Sequence, residues 1–478
     1  MAIGRWSRLV ISTGSLAMGA AALDGAHVDE SARWRVAESV RVRTEPFPHA
    51  SVRITGGPWK VEQDRAASYL LEVDADRLLC RFREEAGLEP RGEVYGGWES
   101  DSISGHSLGH YLSGVSLAYA ATGDERFRER AAYVVDQIIE CQDASGDGFA
   151  SGVPNGKAIF DAVRRGEIRS SGFDLNGSWV PWYTQHKIMA GLRDALLYTG
   201  NEAARDSLIA MADWVCGVVE PLQDEQIQRM LACEHGGMNE VMADVFDLTG
   251  NERYLKVATR HFDHGAVLDP LRRQEDPLRG LHANTQIPKI IGQARIHEVT
   301  GDPEASRLAR HFWALVTDRY TYANGGNSTW EMFGPPNVEA GALPETTETC
   351  NTSNMLRLTD HLFRWSGDAR YADYAERALT NHILAQQHPD GGRYMYRAWL
   401  DQGAHKTWSG REDTWTCCHG TGMENHVRYN EMVYFRGVGE EAPTLYVNLF
   451  LPSTLSWTDM GLELAQESEL PLGGTSAL

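Results

Sequence analysis

One repeated punctuation mark limits most what this chain can become. Thr122-Gly123-Asp124, Thr199-Gly200-Asn201, Thr249-Gly250-Asn251, Thr300-Gly301-Asp302 and Ser366-Gly367-Asp368 stand about 50 to 77 residues apart. In each, glycine suits the left-handed position that closes a helix, and the Asp or Asn after it can cap the next one. The chain therefore reads as a series of αα-hairpins, and self-similarity on this scale marks a helical toroid or solenoid. The stretches ending at the marks, 111–121, 186–198, 238–248, 287–299 and 354–365, are rich in Leu, Ile, Met and Ala and poor in charge. Those after the marks, such as 125–139 and 253–264, are strongly amphipathic. The first set is expected inside and the second outside. Counting 423–435, which ends at Arg436-Gly437, as a sixth inner helix gives six hairpins, and the repeats are too diverged for an open solenoid. The expected fold is mainly α, an (α/α)6 barrel.

The flanks read differently. Residues 1–26 carry Arg5 and Arg8, an apolar run over 9–23 and Ala20-Ala21-Ala22, the pattern of an export signal, which implies a periplasmic or secreted protein. No other run is long and apolar enough to span a bilayer. Residues 27–60, with Pro46, Pro48 and Gly56-Gly57-Pro58, read as an extended arm, and 61–440 as the barrel, opening with an amphipathic helix over 63–82. Residues 441–478 turn to alternating β-branched and aromatic residues over 444–451, with a second strand starting at 462–464. This reads as the beginning of a β-sandwich that stops incomplete. The charge, 45 − 66 = −21, argues against nucleic acid as a partner and leaves neutral or cationic ligands open.

Seven scattered cysteines, an odd number, make no disulfide framework. Cys80, Cys141 and Cys216 sit in helical patterns as small hydrophobes. Glu348, Cys350, Cys417 and Cys418 are another matter, because three thiolates and a carboxylate fill the four corners of a zinc tetrahedron. Their spacing folds no autonomous finger, so a larger scaffold must bring the halves together. Two readings follow: a closed structural site that pins the last barrel units, or a coordinated thiolate that is itself a nucleophile. His106 and His110, His186, His235, His282, Glu348 with Cys350, and Cys417 with Cys418 lie about 13 to 20 residues ahead of successive closing glycines. In a closed toroid these positions meet at one mouth, where Trp98, Trp179, Trp182, Trp330 and Trp415 are also expected. Glu331, in the Gly-rich run from Gly325 to Gly334, is the best acid/base candidate for glycosidic chemistry.

Several of these segments resemble the hallmark segments of the β-L-arabinofuranosidases of glycoside hydrolase families 127 and 146. They are Gly96-Gly97-Trp98-Glu99, Leu108-Gly109-His110-Tyr111-Leu112, Thr184-Gln185-His186-Lys187, Gly325-Gly326-Asn327-Ser328, Glu348-Thr349-Cys350-Asn351-Thr352-Ser353-Asn354 and Cys417-Cys418-His419-Gly420-Thr421-Gly422-Met423-Glu424-Asn425. The similarity runs over about 46–464. It implies a retaining hydrolase that releases β-L-arabinofuranose from plant-type glycans, built as an (α/α)6 barrel followed by β-sandwich modules. It also implies Zn2+ held by Glu348, Cys350, Cys417 and Cys418, with Cys417 as nucleophile and Glu331 as acid/base. His186, His235 and His282 would line the sugar pocket, with Tyr396 or Tyr394 nearby. Two other functions fit the residues: a non-catalytic carbohydrate-binding or structural toroid with a structural zinc, and a zinc-thiolate transferase or cyclase. The last needs an open coordination position, which a full Glu-Cys-Cys-Cys set does not leave.

Overall fold

The computed structural model describes residues 39–478, with Val36 and the backbone of Leu9–Val10. Apart from that dipeptide, the export segment expected over 1–26 lies outside the described residues. Six helices line an axis: His106–Thr122, Pro181–Thr199, Met238–Thr249, Ala283–Thr300, Thr349–Ser366 and Cys417–Asn425. Each packs on the next and the last returns to the first, so the ring closes. Outside it run Glu125–Ser145, Glu202–Val219, Glu252–Lys256 with a π-helical continuation over Val257–His261, Pro303–Arg319 and Ala369–Asn381. Gly57–Glu72 takes the sixth outer place, between the first inner helix and Ile383–Ala385. The chain is an (α/α)6 barrel.

The punctuation works as read. Gly123, Gly200, Gly250, Gly301 and Gly367 take φ values of 74°, 76°, 72°, 75° and 63°, the left-handed region that an L side chain resists. The carboxylate or amide oxygens of Asp124, Asn201, Asn251, Asp302 and Asp368 then accept a backbone N–H of the following helix at 2.9–3.1 Å. Each such cap stabilises its helix by about 1 kcal/mol.

Two elements differ from the sequence reading. The helix expected over 63–82 is two, Gly57–Glu72 and Ala75–Glu85, because Val73 is extended and Asp74 caps the second by accepting the Asp76 N–H at 3.0 Å. The sixth inner helix is Cys417–Asn425 and not 423–435, since Tyr434–Gly437 becomes a strand paired with Thr44–Pro46 on one side and Thr444–Val447 on the other. Non-local pairing overrides local helical pattern here. The arm and the tail share two four-stranded sheets: Thr444–Val447 also meets Leu9–Val10, and Ser453–Trp457 lies between Val52–Ile54 and Leu462–Ser468. Among the described residues no helix is long and apolar enough to cross a membrane.

The inner helices also carry more charge than expected, and it faces the axis. Arg193 donates to Glu240 at 2.9 Å and Asp244 at 2.8 Å, Arg295 to Asp244 at 2.7 Å, and Arg357 to Glu240 at 2.6 Å, all behind largely buried side chains. This network lines an axial cavity of about 250 Å³ that Phe47 and His49 of the arm help to enclose. None of the quartet residues lines this cavity. Burial alone would raise Glu240 and Glu298, but Arg357 and Arg193 at the first, and His361 and Arg364 at the second, hold both well below the carboxylate range. A depressed pKa contributes stability above the unfolded value, near 4.5, that is lost as pH falls toward the folded value. Removing one partner strands a buried charge. Arg193→Met is therefore expected to lower unfolding free energy by about 3–5 kcal/mol, read from the denaturant midpoint at neutral pH.

Candidate active site

The inner helices present their N-terminal ends to one mouth. His106 opens the first helix, His186 sits in the second turn of the next, and His282 and Glu348 occupy the positions just before the fourth and fifth. Thr416 caps the sixth, so Cys417 and Cys418 fall in its first turn. Cys350 and Cys417, 67 residues apart in the chain, are thereby brought to 3.3 Å between sulfurs. The remaining separations in the quartet are 3.2 Å for Cys350 to Cys418, 4.0 Å for Cys417 to Cys418, and 2.5, 3.6 and 3.9 Å from Glu348 Oε1 to the three sulfurs in chain order. Donors at about 2.3 Å from a tetrahedral ion stand about 3.8 Å apart, so five of the six separations lie within about 0.6 Å of what an ion requires and only the Glu348–Cys350 contact would have to open.

The loop before it is a brace. Ser328 Oγ accepts the Glu348 N–H at 3.0 Å, and Asn351 donates to Asn327 Oδ1 at 2.6 Å. Gly326 is needed by closeness: a Cβ there would stand 2.4 Å from Thr347 Cβ. Asn284, two residues past His282, donates to Cys350 Sγ at 3.2 Å and accepts from Asn354 at 2.7 Å.

The electrostatics ask for a cation. Burial, then the neighbouring Cys417, push Glu348 well above its usual range. Burial and the hydrogen bonds with Cys417 and Cys418 do the same to Cys350. At Cys417 the hydrogen bond with Cys350 pulls down, but that with Cys418 and burial prevail, and its thiol too stands well above normal. Only Cys418 is lowered, to about 6: burial raises it, but hydrogen bonds from Cys350 and Cys417 outweigh that. Four acidic groups buried within 4.8 Å, with Glu348 Oε2 left without a partner among the described residues, cannot all be anionic unless a positive ion sits among them. The N-termini of two helices add a favourable field for such anions. The residues present fit a thiophilic metal ion.

Glu331 faces the quartet across Tyr396. Its segment pairs with the one that leads into the fourth inner helix: Ala283 N–H donates to Glu331 O at 2.7 Å, and Phe333 N–H to Leu281 O at 2.9 Å. This places Glu331 Oε2 3.4 Å from His282 Nε2. His282 Nδ1 takes the Thr285 N–H at 3.2 Å, so Nε2 carries the hydrogen that points at Glu331. Tyr396 Oη donates to Glu331 Oε1 in a short hydrogen bond and lies 3.7 Å from Cys417 Sγ. Arg397 donates to the same Oε1 at 3.2 Å and to Glu345 at 2.5 Å. Burial would raise Glu331, but the hydrogen bonds of His282 and Tyr396, with the charge of Arg397, bring it down to about 2.

The family can now be stated. The sequence profile of the beta-L-arabinofuranosidase, GH127 catalytic domain, matches residues 51–431. The chain belongs to glycoside hydrolase family 127. It is a glycoside hydrolase. Solved structures share its fold. A GH127 beta-L-arabinofuranosidase from Geobacillus stearothermophilus T6 superposes with a TM-score of 0.68 at 18% identity, over 89% of this chain and 72% of that one. A GH127 beta-arabinofuranosidase gives 0.66 at 19%, over 90% and 68% respectively, and a further glycoside hydrolase 0.66 at 18%, over 91% and 68%. No curated protein matches it in sequence.

Within this family 127 fold the expected site residues are unequally placed. Glu331, His282, Tyr396 and the quartet form one contact network. His186 lies deeper, against the backbone of Gly236 and Gly237, with both ring nitrogens buried and unpartnered among the described residues. His235 packs on Phe262 and His264 at 6.1 and 5.8 Å, its Nδ1 facing Cys233 O at 3.2 Å, and no described contact joins it to Glu331 or to the quartet. Burial keeps both histidines neutral. Tyr394 is not at the mouth but sits behind it against His419, ring centroids 5.1 Å apart. Trp182 and Trp415 are core residues at 1% and 0% exposure, whereas Trp98 and Trp179 pair at 4.6 Å with Trp98 edged toward Tyr396. Arg397, Glu345, Asn284 and Tyr183 were missed. Tyr183 lies between His106 Nδ1 at 3.5 Å and His110 Nε2 at 3.4 Å. Its place beside Trp182 in the His186 motif is the one signal that could have marked it.

Proposed function

We propose that this chain is a retaining glycosidase that releases β-L-arabinofuranose from plant-type glycans, with Cys417 as nucleophile, Glu331 as acid/base and zinc on Glu348, Cys350, Cys417 and Cys418. The observation that carries the reading is that Cys417 and Glu331 meet on one hydroxyl, that of Tyr396. Retention needs an attacking group and a proton-handling group about 5–5.5 Å apart when both are carboxyls, a gap that one hydroxyl spans. The reading is supported by burial, Cys417 being the least covered of the three cysteines at 8% exposure against 1% each for Cys350 and Cys418.

When bound, zinc would keep the cysteines as thiolates and neutralise part of their mutual repulsion. Cys417 Sγ attacks the anomeric carbon and forms the C–S bond as the C–O bond to the leaving group breaks, while Glu331 gives that oxygen a proton. The donors around Glu331 keep it ionised in the free protein, which is its base form. For the first step a proton must reach it, and the His282 Nε2–H and the Tyr396 hydroxyl, already donating to its oxygens, are placed to share one. Glu331 then takes a proton from water, whose oxygen displaces the sulfur with a second inversion. His282, His186 and Tyr396 border the sugar, and the basic and apolar stretch before residue 26 fits a protein that meets such glycans outside the cytoplasm.

Release of nitrophenol from a nitrophenyl β-L-arabinofuranoside tests the function. A zinc-replete, folded sample that releases none contradicts it. Metal uptake has its own signature. The raised thiols of Cys350 and Cys417 stay protonated at pH 7 without an ion, so zinc binding is expected to expel at least two protons, with affinity falling as pH drops. Calorimetry in buffers of different ionisation enthalpy measures the proton count, and a pH-independent affinity would count against the quartet as the ligand set.

A further inference from the structure

Six large apolar side chains stay well exposed among the described residues: Val61, Phe173, Trp330, Met332, Leu472 and Leu478. Three of them gather at Glu331. Trp330, 51% exposed, and Met332, 36%, flank it in the chain, and Phe173, 40%, sets its ring edge-to-face on His282 at 5.1 Å. These side chains are held in place. Thr329 and Met332 close a tight turn with two backbone hydrogen bonds of 3.0 Å, and the Trp330 N–H is fixed on Glu345 O at 3.0 Å. Trp330 sits at φ 53°, where bulky residues are rare. The Arg397 guanidinium lies 5.5 Å from its ring centroid, and the ring stays half exposed to solvent. Phe173 comes from another unit, at the tip of the hairpin between Ser170–Ser171 and Asp174–Leu175, anchored by Val180 N–H to Phe173 O at 3.1 Å and Glu234 N–H to Gly172 O at 2.9 Å.

Clustered, immobilised and exposed apolar groups at the rim of a pocket mark a ligand surface. Their place defines the ligand. A glycosidic oxygen must come within hydrogen-bond reach of Glu331, with its sugar on the Cys417 side. Whatever hangs on the other side of that oxygen lies against Trp330, Met332 and Phe173. At the rim Arg397 is already paired with Glu331 and Glu345, and His282 with Glu331, so among the described residues there nothing calls for an anionic leaving group. We propose that Phe173, Trp330 and Met332 seat the leaving group, and that this group is a neutral second sugar ring whose C–H face packs on the indole and phenyl rings. The inference rests on the glycosidase reading above and names the substrate half that reading leaves open.

The test compares kcat/KM for a β-L-arabinofuranosyl disaccharide with a neutral pentose leaving group against kcat/KM for methyl β-L-arabinofuranoside. The ratio is expected to fall about tenfold in Trp330→Ala and in Phe173→Ala, further in the double variant, and to recover in Trp330→Phe. Taking the ratio removes any effect common to both substrates, such as a shifted Glu331 or lost zinc. Two variants on separate hairpins guard against one failing to fold. A ratio within about twofold of the unsubstituted protein in the double variant, or equal losses on both substrates, would overturn the proposal. If the unsubstituted protein cleaves neither glycoside, the glycosidase reading falls first and this inference with it. If it cleaves the methyl glycoside as well as the disaccharide, only the inference falls.

Discussion

Cys417→Ser is expected to leave a folded barrel that has lost nearly all turnover, by up to about six orders of magnitude in kcat, the scale seen when a covalent nucleophile is removed. A serine hydroxyl stays protonated at neutral pH and is a weaker zinc ligand, so it supplies neither the charge nor the softness that attack at an anomeric carbon uses. The informative control is Cys418→Ser. Both substitutions take one thiolate from the same quartet, so a purely structural metal would make them alike in stability, zinc content and activity. The structure makes them unlike: Cys417, the least covered of the three cysteines at 8% exposure, approaches Tyr396 Oη at 3.7 Å, whereas Cys418 is 1% exposed and faces the Tyr396 carbonyl at 3.6 Å. Cys418→Ser should therefore lose zinc affinity at least as much as Cys417→Ser yet keep measurably more activity once zinc is supplied in excess. Equal activities in the two would return the cluster to a structural role.

Glu331→Gln is the second large effect, a fall of about 10²- to 10⁴-fold on glycosides with a poor leaving group, which is what a positioned acid/base normally contributes. The amide keeps the shape and can still meet Tyr396 and Arg397, so folding and zinc content should not change. Because glutamine cannot deliver a proton, the loss should shrink for nitrophenyl glycosides, whose leaving group departs unaided. That substrate dependence separates an acid from a residue that only positions Arg397 or His282, which would impair both substrates alike.

Much of the scaffold was legible because it is written locally. A Thr-Gly-Asp mark carries its own left-handed glycine and its own cap, and five of them give five hairpin turns without knowledge of the rest. The ligand quartet was legible through donor chemistry alone, since few arrangements bring three cysteines and a glutamate together for another purpose. What was hidden depends on partners distant in sequence. The sixth inner helix stops at Asn425 because Tyr434–Gly437 finds strands from both the arm and the tail, which no window around it reveals. The buried charges of Arg193, Glu240, Asp244 and Arg295 look like helix surface until the ring closes and they face one another. Arg397 reaches Glu331, and Glu345 reaches Arg397, only through the fold, and Trp182 and Trp415 are fully covered by neighbours that the sequence does not announce.

The central claim is that a cysteine sulfur, and no carboxylate, takes the sugar. Mass spectrometry after incubation with a β-L-arabinofuranose analogue electrophilic at its anomeric carbon measures this directly. The account predicts one sugar mass added per chain, located by fragmentation on Cys417, and lost when Cys417 is replaced by serine. A label on Glu331 or any other carboxylate, with Cys417 unmodified, would contradict it.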